Sequence, residues 1–122
     1  MSIMIDGVGI DLVELDDLKV RVNDQFVERI LCSEELAYYQ KVTHPVRKLT
    51  YLAGRFAAKE AYVKAYQSFD KTLNFKDVKV LMKDNGVPFI ESSYRPSDTV
   101  KVSISHTDNY AVAIVMVSFG ED

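Results

Sequence analysis

Glu60 is an acid where its own segment asks for a hydrophobe. The run from Val46 to Gln67 has helical spacing. With Leu49 at zero and about 100° per residue, Leu52, Ala53, Phe56, Glu60 and Val63 fall within about 60° of one direction. An ionised carboxylate in an apolar stripe is costly unless a cation, a metal or several donors receive it. On the same arithmetic Lys48, Arg55 and Lys59 fall about 80° to 120° to one side, a basic ridge beside the stripe. Lys64 stands at i+4 from Glu60, the favourable order for an exposed pair worth about 0.2 to 0.5 kcal/mol. That pairing accounts for the spacing but not for the apolar setting of the acid, which suits metal or catalytic use.

A second carboxylate, Asp11, follows Gly9-Ile10 at what reads as a strand end. Strand-ending Asp residues are often only turn formers. Asp plus Glu from distant segments, with no His or Cys cluster, is nevertheless the ligand chemistry of Mg²⁺, which keeps waters and completes its shell with phosphate oxygens. His106, between Ser105 and Thr107, closes another strand with three polar side chains in a row, as a packed or surface imidazole or as a donor to phosphate. No Walker loop, dinucleotide glycine fingerprint, nucleophile elbow or zinc signature is present, which disfavours a nucleophile supplied by the protein. Cys32, the single cysteine, reads as a small buried hydrophobe.

The elements that must position these residues follow from the pattern. Ile3 to Leu15 opens with a strand ending near Asp11, and Asp16 to Leu31 has helical spacing with a break at Asn23-Asp24. Ser33 can cap a second helix, with Glu34 and Glu35 in its first turn and an end before Pro45. Pro45 then opens the long helix, which ends near Ser68. From Leu73 the period changes to two. Asn85-Gly86 predicts a two-residue type I′ hairpin turn, and Thr99 to Ser105 and Tyr110 to Phe119 form a further strand pair. The apolar run Ala111 to Val117 suggests a strand buried on both faces, by the chain's own layers or by another subunit.

At 122 residues and 48% hydrophobic content the chain is expected to be one domain, 1–122, with a real core. No apolar run approaches 18 residues and Met1 to Gly7 lacks basic residues, so neither a membrane span nor a signal peptide is expected, and a cytoplasmic location is the default. Between Gln40 and Tyr66 six Lys or Arg face one acid, a local +5, while nine cations and 17 acids leave −8 elsewhere. That asymmetry disfavours general nucleic-acid binding and suits a compact anionic ligand, or merely a solvated cationic helix face.

Val8-Gly9-Ile10-Asp11, Phe56-Ala57-Ala58-Lys59-Glu60-Ala61-Tyr62-Val63-Lys64 and Ser103-Ile104-Ser105-His106-Thr107 together resemble the 4′-phosphopantetheinyl transferases, and within them the bacterial holo-[acyl-carrier-protein] synthases. The resemblance runs nearly end to end. It implies Mg²⁺-dependent transfer of 4′-phosphopantetheine from coenzyme A to a serine of apo acyl carrier protein, in support of fatty acid biosynthesis. It also implies an α+β fold, with a helical N-terminal half and a mostly antiparallel sheet, and a homotrimer with sites at subunit interfaces. By motif, Asp11 and Glu60 would ligate the metal and Lys64 would assist catalysis. Arg55, Lys64 and His106 would contact coenzyme A phosphates with Ser105 and Thr107 nearby, and Asn85, Gly86 and Pro88 match a hairpin near the nucleotide. Phe26 and Arg29 match carrier-docking positions. The chain departs from the family where Asp16, Asp17 and Asp24 stand beside Lys19, Arg21 and Arg29, since that region usually offers several cations to the carrier. The rival reading is a non-catalytic oligomeric module that binds a nucleotide or other anion through residues 40–66.

Overall fold

The computed structural model describes residues 4–66 and 73–120. The chain runs from strand β1 (Gly7–Glu14) through helices α1 (Leu15–Arg21), α2 (Asp24–Ile30), α3 (Ser33–Lys41) and α4 (Pro45–Ala65). Strands β2 (Val78–Met82), β3 (Pro88–Ser92), β4 (Thr99–His106) and β5 (Tyr110–Ser118) follow. Among the described residues all strand pairing is antiparallel, in a three-stranded sheet β1-β5-β4 and a hairpin β2-β3, so the α+β class holds. β1 extends to Glu14, three residues past the expected end at Asp11, because pairing with β5 continues through Glu14 opposite Tyr110. The expected end of the long helix, near Ser68, lies outside the described residues.

Small residues set how closely α4 and the sheet approach. Ala53, Ala57, Ala58, Ala61 and Ala65 are all buried on α4, and β1 faces them with Gly7 and Gly9. A Cβ on Gly9 would collide with the Ala61 carbonyl oxygen, and one on Gly7 with that of Ala65. The inner faces of β5 and β4 supply Ala111, Ala113, Val115 and Val117, with Val100, Val102 and Ile104 packed against the core. We expect Gly9→Ala to destabilise the fold by about 3 kcal/mol or more, since backbone on both sides resists the added methyl. A lowered urea midpoint at unchanged m-value checks it.

Three expectations are corrected. The α4 wheel placed Lys59 on a basic ridge beside the apolar stripe, but the middle of the helix is surrounded on nearly all sides and Lys59 is 0% exposed, in the core. The face carrying Leu49, Phe56, Glu60 and Val63 is the half-buried one instead. The hairpin turn is a three-residue loop: Gly86 N donates to Lys83 O at 2.8 Å and Lys83 N to Val87 O at 2.9 Å. Gly86 alone among the described residues has positive φ, at 85°, whereas type I′ requires it of Asn85 as well. The cap of α3 is Cys32, whose N–H donates to Glu35 Oε1 at 2.8 Å, while Ser33 turns its hydroxyl to Glu34. Asn23 does break the first helical segment, its Oδ1 accepting from Phe26 N at 2.8 Å to cap α2.

Only one face of β5 is buried within the protomer. The other carries Ile114 and Met116 beside Val8, Ile10 and Leu12 of β1, all exposed, so of the two coverings expected for this strand the chain itself supplies one.

Candidate active site

Alternation along β1 turns Gly7, Gly9, Asp11 and Val13 toward α4, so the glycines that admit the helix also bring the Asp11 carboxylate to it. There Lys64 Nζ donates to Asp11 Oδ1 at 3.0 Å and to Ile10 O at 3.1 Å. Glu60, one turn earlier on α4, is half-buried beside them, and its carboxylate accepts no hydrogen bond from a described residue. Burial pushes its carboxyl above the usual range and the Asp11 charge adds to the rise, while Lys64 and Arg21 oppose it. Asp11 and Glu60 line one open cleft of about 350 Å³, together with Glu14, Asp17, Arg21 and Phe56.

Two carboxylates of opposite origin, one without a donor, fit a hard divalent ion. Among the described residues no group of three or more His, Cys, Asp or Glu side chains gathers as a metal cage. An oxygen-only pair of carboxylates fits an ion that keeps waters and takes further oxygens from a phosphate, as Mg²⁺ does.

Lys59 belongs to the core rather than to this cleft. Its Nζ donates to Ile30 O at 2.6 Å, to Phe75 O at 3.0 Å and to Glu35 Oε1, which uses all three ammonium protons. Glu35 in turn accepts from Cys32 N and, at 2.7 Å, from Val80 N, so the pair ties α3, α4 and β2 together. Burial pushes the Lys59 ammonium down, and Glu35 holds against it. The same burial pushes the Cys32 thiol up, and the residue packs in the core as expected of a small hydrophobe.

Arg55 lies on another side of α4, about 140° around the axis from Glu60. It is 8% exposed, with its guanidinium 4.2 Å over the Tyr51 ring, and its buried Nε has no hydrogen-bond partner among the described residues. Burial pushes the Tyr51 hydroxyl up to about 12. Tyr38, Tyr51, Arg55, Met82 and Phe89 line a second cleft, of about 340 Å³, between α3, α4 and the β2-β3 hairpin.

At the hairpin tip Asn85 and Gly86 are exposed, Asn85 Oδ1 accepts from Val87 N at 3.1 Å, and Pro88 opens β3 opposite Met82. Ser105 and His106 are exposed at the end of β4, and Thr107 Oγ1 accepts from Asn109 N and Tyr110 N, both at 3.1 Å, to shape the turn into β5.

Phe26, expected on a docking surface, is 4% exposed. Its ring packs edge-on against Phe56 and lies under the guanidiniums of Arg21 and Arg29, 5.3 and 5.9 Å from its centroid. It therefore supports the two cations instead of presenting itself.

The protomer thus brings Asp11, Glu60 and Lys64 together and keeps Arg55 in a separate cleft. Sequence reasoning missed Arg21 as a lining residue and Glu35 as a core acid. A wheel for one helix cannot show which cation a neighbouring helix leans across it, but Glu35 at the N3 position of a helix start was a readable capping signal.

The family model of the 4′-phosphopantetheinyl transferase superfamily matches residues 7–115. The holo-[acyl-carrier-protein] synthase of Acholeplasma laidlawii is 45% identical over 114 residues, covering 93% of this chain and 97% of that protein. A crystal structure of a holo-(acyl-carrier-protein) synthase from Bacillus anthracis in complex with CoA (3′,5′-ADP) superposes with a TM-score of 0.86 at 38% identity, covering 96% of this chain and 99% of that one. The Helicobacter pylori holo-[acyl-carrier-protein] synthase in complex with coenzyme A gives 0.77 at 32%, covering 91% and 99%.

Proposed function

The chain belongs to the 4′-phosphopantetheinyl transferase superfamily, and from that premise we propose the reaction it carries out: transfer of 4′-phosphopantetheine from coenzyme A to a serine of apo acyl carrier protein. The serine oxygen bonds to the β-phosphorus of coenzyme A as the bond to the bridging oxygen breaks. Adenosine 3′,5′-bisphosphate leaves with that electron pair, and the serine proton ends in solvent. What supports this reading most is that Asp11 and Glu60, far apart in the sequence, share one cleft with Lys64 beside it.

Asp11 and Glu60 would hold Mg²⁺. When bound, the ion supplies positive charge to the diphosphate oxygens as negative charge develops on them. Lys64 acts beside it. Its ammonium spends two protons on Ile10 O and Asp11, and the third is free to hold the α-phosphate of the leaving bisphosphate. Arg55 and the residues 85–88 and 105–107 would hold the nucleotide end.

The whole chain, 1–122, would act as one transferase domain, in the cytoplasm and as a homotrimer with its sites between subunits. Two observations support the assembly. The outer sheet face exposes Ile10 at 58%, Leu12 at 64%, Ile114 at 36% and Met116 at 37%, a contiguous apolar surface of the kind that marks an interface. Arg55 and Glu60 also occupy different clefts, so a neighbouring copy is the natural source of the complementary half.

Carrier docking would run through Arg29, which rests on Phe26 and forms no ion pair with a described acid. Arg29→Glu should raise the KM for apo carrier about tenfold with coenzyme A affinity unchanged, because a reversed charge repels an acidic partner. Equal loss of both would remove Arg29 from the docking surface.

The activity is tested by incubating the protein with coenzyme A, Mg²⁺ and apo carrier and weighing the carrier. Gain of the phosphopantetheine mass, abolished by a chelator and restored by Mg²⁺, is expected. Coenzyme A binding with no added mass would instead favour a non-catalytic nucleotide-binding module.

A further inference from the structure

Phe56, Glu60 and Lys64 stand four residues apart along one row of α4, each step about 6 Å along the axis. Arg21, from the end of α1, crosses to this row and lies 5.5 Å from the Phe56 ring centroid and 5.3 Å from that of Phe26. Glu60 therefore has a cation on each side, Lys64 toward the C-terminal end of α4 and Arg21 toward the N-terminal end. Arg21 also lines the cleft that holds Asp11 and Glu60.

Two aromatic faces hold this guanidinium in place, without an acid. Asp17 lines the same cleft four residues earlier in the sequence, yet the Arg21 guanidinium forms no ion pair with it or with any other described acid and donates no hydrogen bond to a described residue. An arginine fixed through its π-face keeps its planar fork of N–H donors free for a bidentate anion such as phosphate. The rings thus solve a positioning problem: they set a cation at a cleft rich in carboxylates without letting a carboxylate consume it.

We infer that Arg21 is a catalytic residue of this chain that contacts the transferred β-phosphoryl group of coenzyme A, opposite Lys64 on the departing α-phosphate. The inference rests on the transferase reading above. A diphosphate lying against the cleft has one end toward each cation. Arg21 stands on the side of Phe26 and Arg29, from which the carrier serine is proposed to arrive, so the group it meets is the one that moves to the serine. Its charge then opposes the negative charge that builds on the β-phosphoryl oxygens in the transition state.

Calorimetric titration of Arg21→Met and Arg21→Lys in Mg²⁺, with the oligomer checked by sedimentation, tests this. Coenzyme A carries both phosphoryl groups, and adenosine 3′,5′-bisphosphate lacks the β one. Arg21→Met should weaken coenzyme A binding about tenfold and leave bisphosphate binding within about twofold. It should also lower kcat about 100-fold at an unchanged carrier KM. Arg21→Lys should recover part of the coenzyme A affinity. Equal weakening of both ligands, or of neither, would overturn the assignment. So would a rise confined to the carrier KM, which would make Arg21 a docking residue. Failure of the unmodified protein to bind coenzyme A would overturn the reading beneath the inference instead.

Discussion

Glu60→Gln should lower turnover by two to three orders of magnitude, on the scale of losing a preorganised charge at a reacting phosphorus. The same change should leave the fold and oligomer intact. Glutamine keeps the volume and removes the charge, and Glu60 makes no hydrogen bond with a described residue that the fold would miss. The stability effect has a definite sign. The folded-state pKa of Glu60 is raised, by burial first and then by Asp11, so the folded chain holds the proton more tightly than the unfolded one. Ionised Glu60 therefore destabilises the ligand-free protein at neutral pH, and that penalty is lost as pH falls through the raised folded-state value and is gone below the ordinary glutamate value. Urea unfolding should find Glu60→Gln at least as stable as the parent at pH 7, with the difference narrowing near pH 4. Near-normal turnover would remove Glu60 from the metal shell.

Lys59→Met should act in the opposite way, through stability. It would strand the Glu35 carboxylate and the carbonyls of Ile30 and Phe75 in the core, a loss of about 3 to 5 kcal/mol. Against a typical total of about 5 to 15 kcal/mol that is enough to leave little folded protein at elevated temperature. Lys64→Met makes the contrast. Its ion pair with Asp11 leaves the Lys64 side chain 53% exposed, so the stability change should stay within about 1 kcal/mol while turnover falls. Denaturation curves for the two variants separate these roles. Parent-like stability with lost activity in Lys59→Met would return Lys59 to the site.

These two lysines also mark what the sequence could and could not yield. Both lie in the same motif, Lys59 next to Glu60 and Lys64 one turn beyond it, and a wheel assigns each a direction. It does not say what occupies that direction. Lys64 points at a strand carboxylate, whereas Lys59 points at Glu35 and two carbonyls contributed by three other segments. The approach of Asp11 to Glu60 was legible because two acids interrupt apolar patterns and because Gly9 announces close contact, here the α4 backbone. The order of elements followed from periodicity, Pro45 and Asn23. The separation of Arg55 from Glu60, and the arrival of Arg21 between Phe26 and Phe56, depend on how helices cross and leave no periodic trace in the chain.

Everything proposed for catalysis requires the Asp11 and Glu60 carboxylates to share one divalent ion in contact with coenzyme A. Anomalous diffraction from crystals of the assembled protein grown with coenzyme A and Mn²⁺ measures this directly. The expected result is one anomalous peak at bonding distance, about 2.1 Å, from an oxygen of each carboxylate and from a diphosphate oxygen. Coenzyme A bound with the peak elsewhere, or with one of the two carboxylates turned out of the coordination sphere, would contradict it.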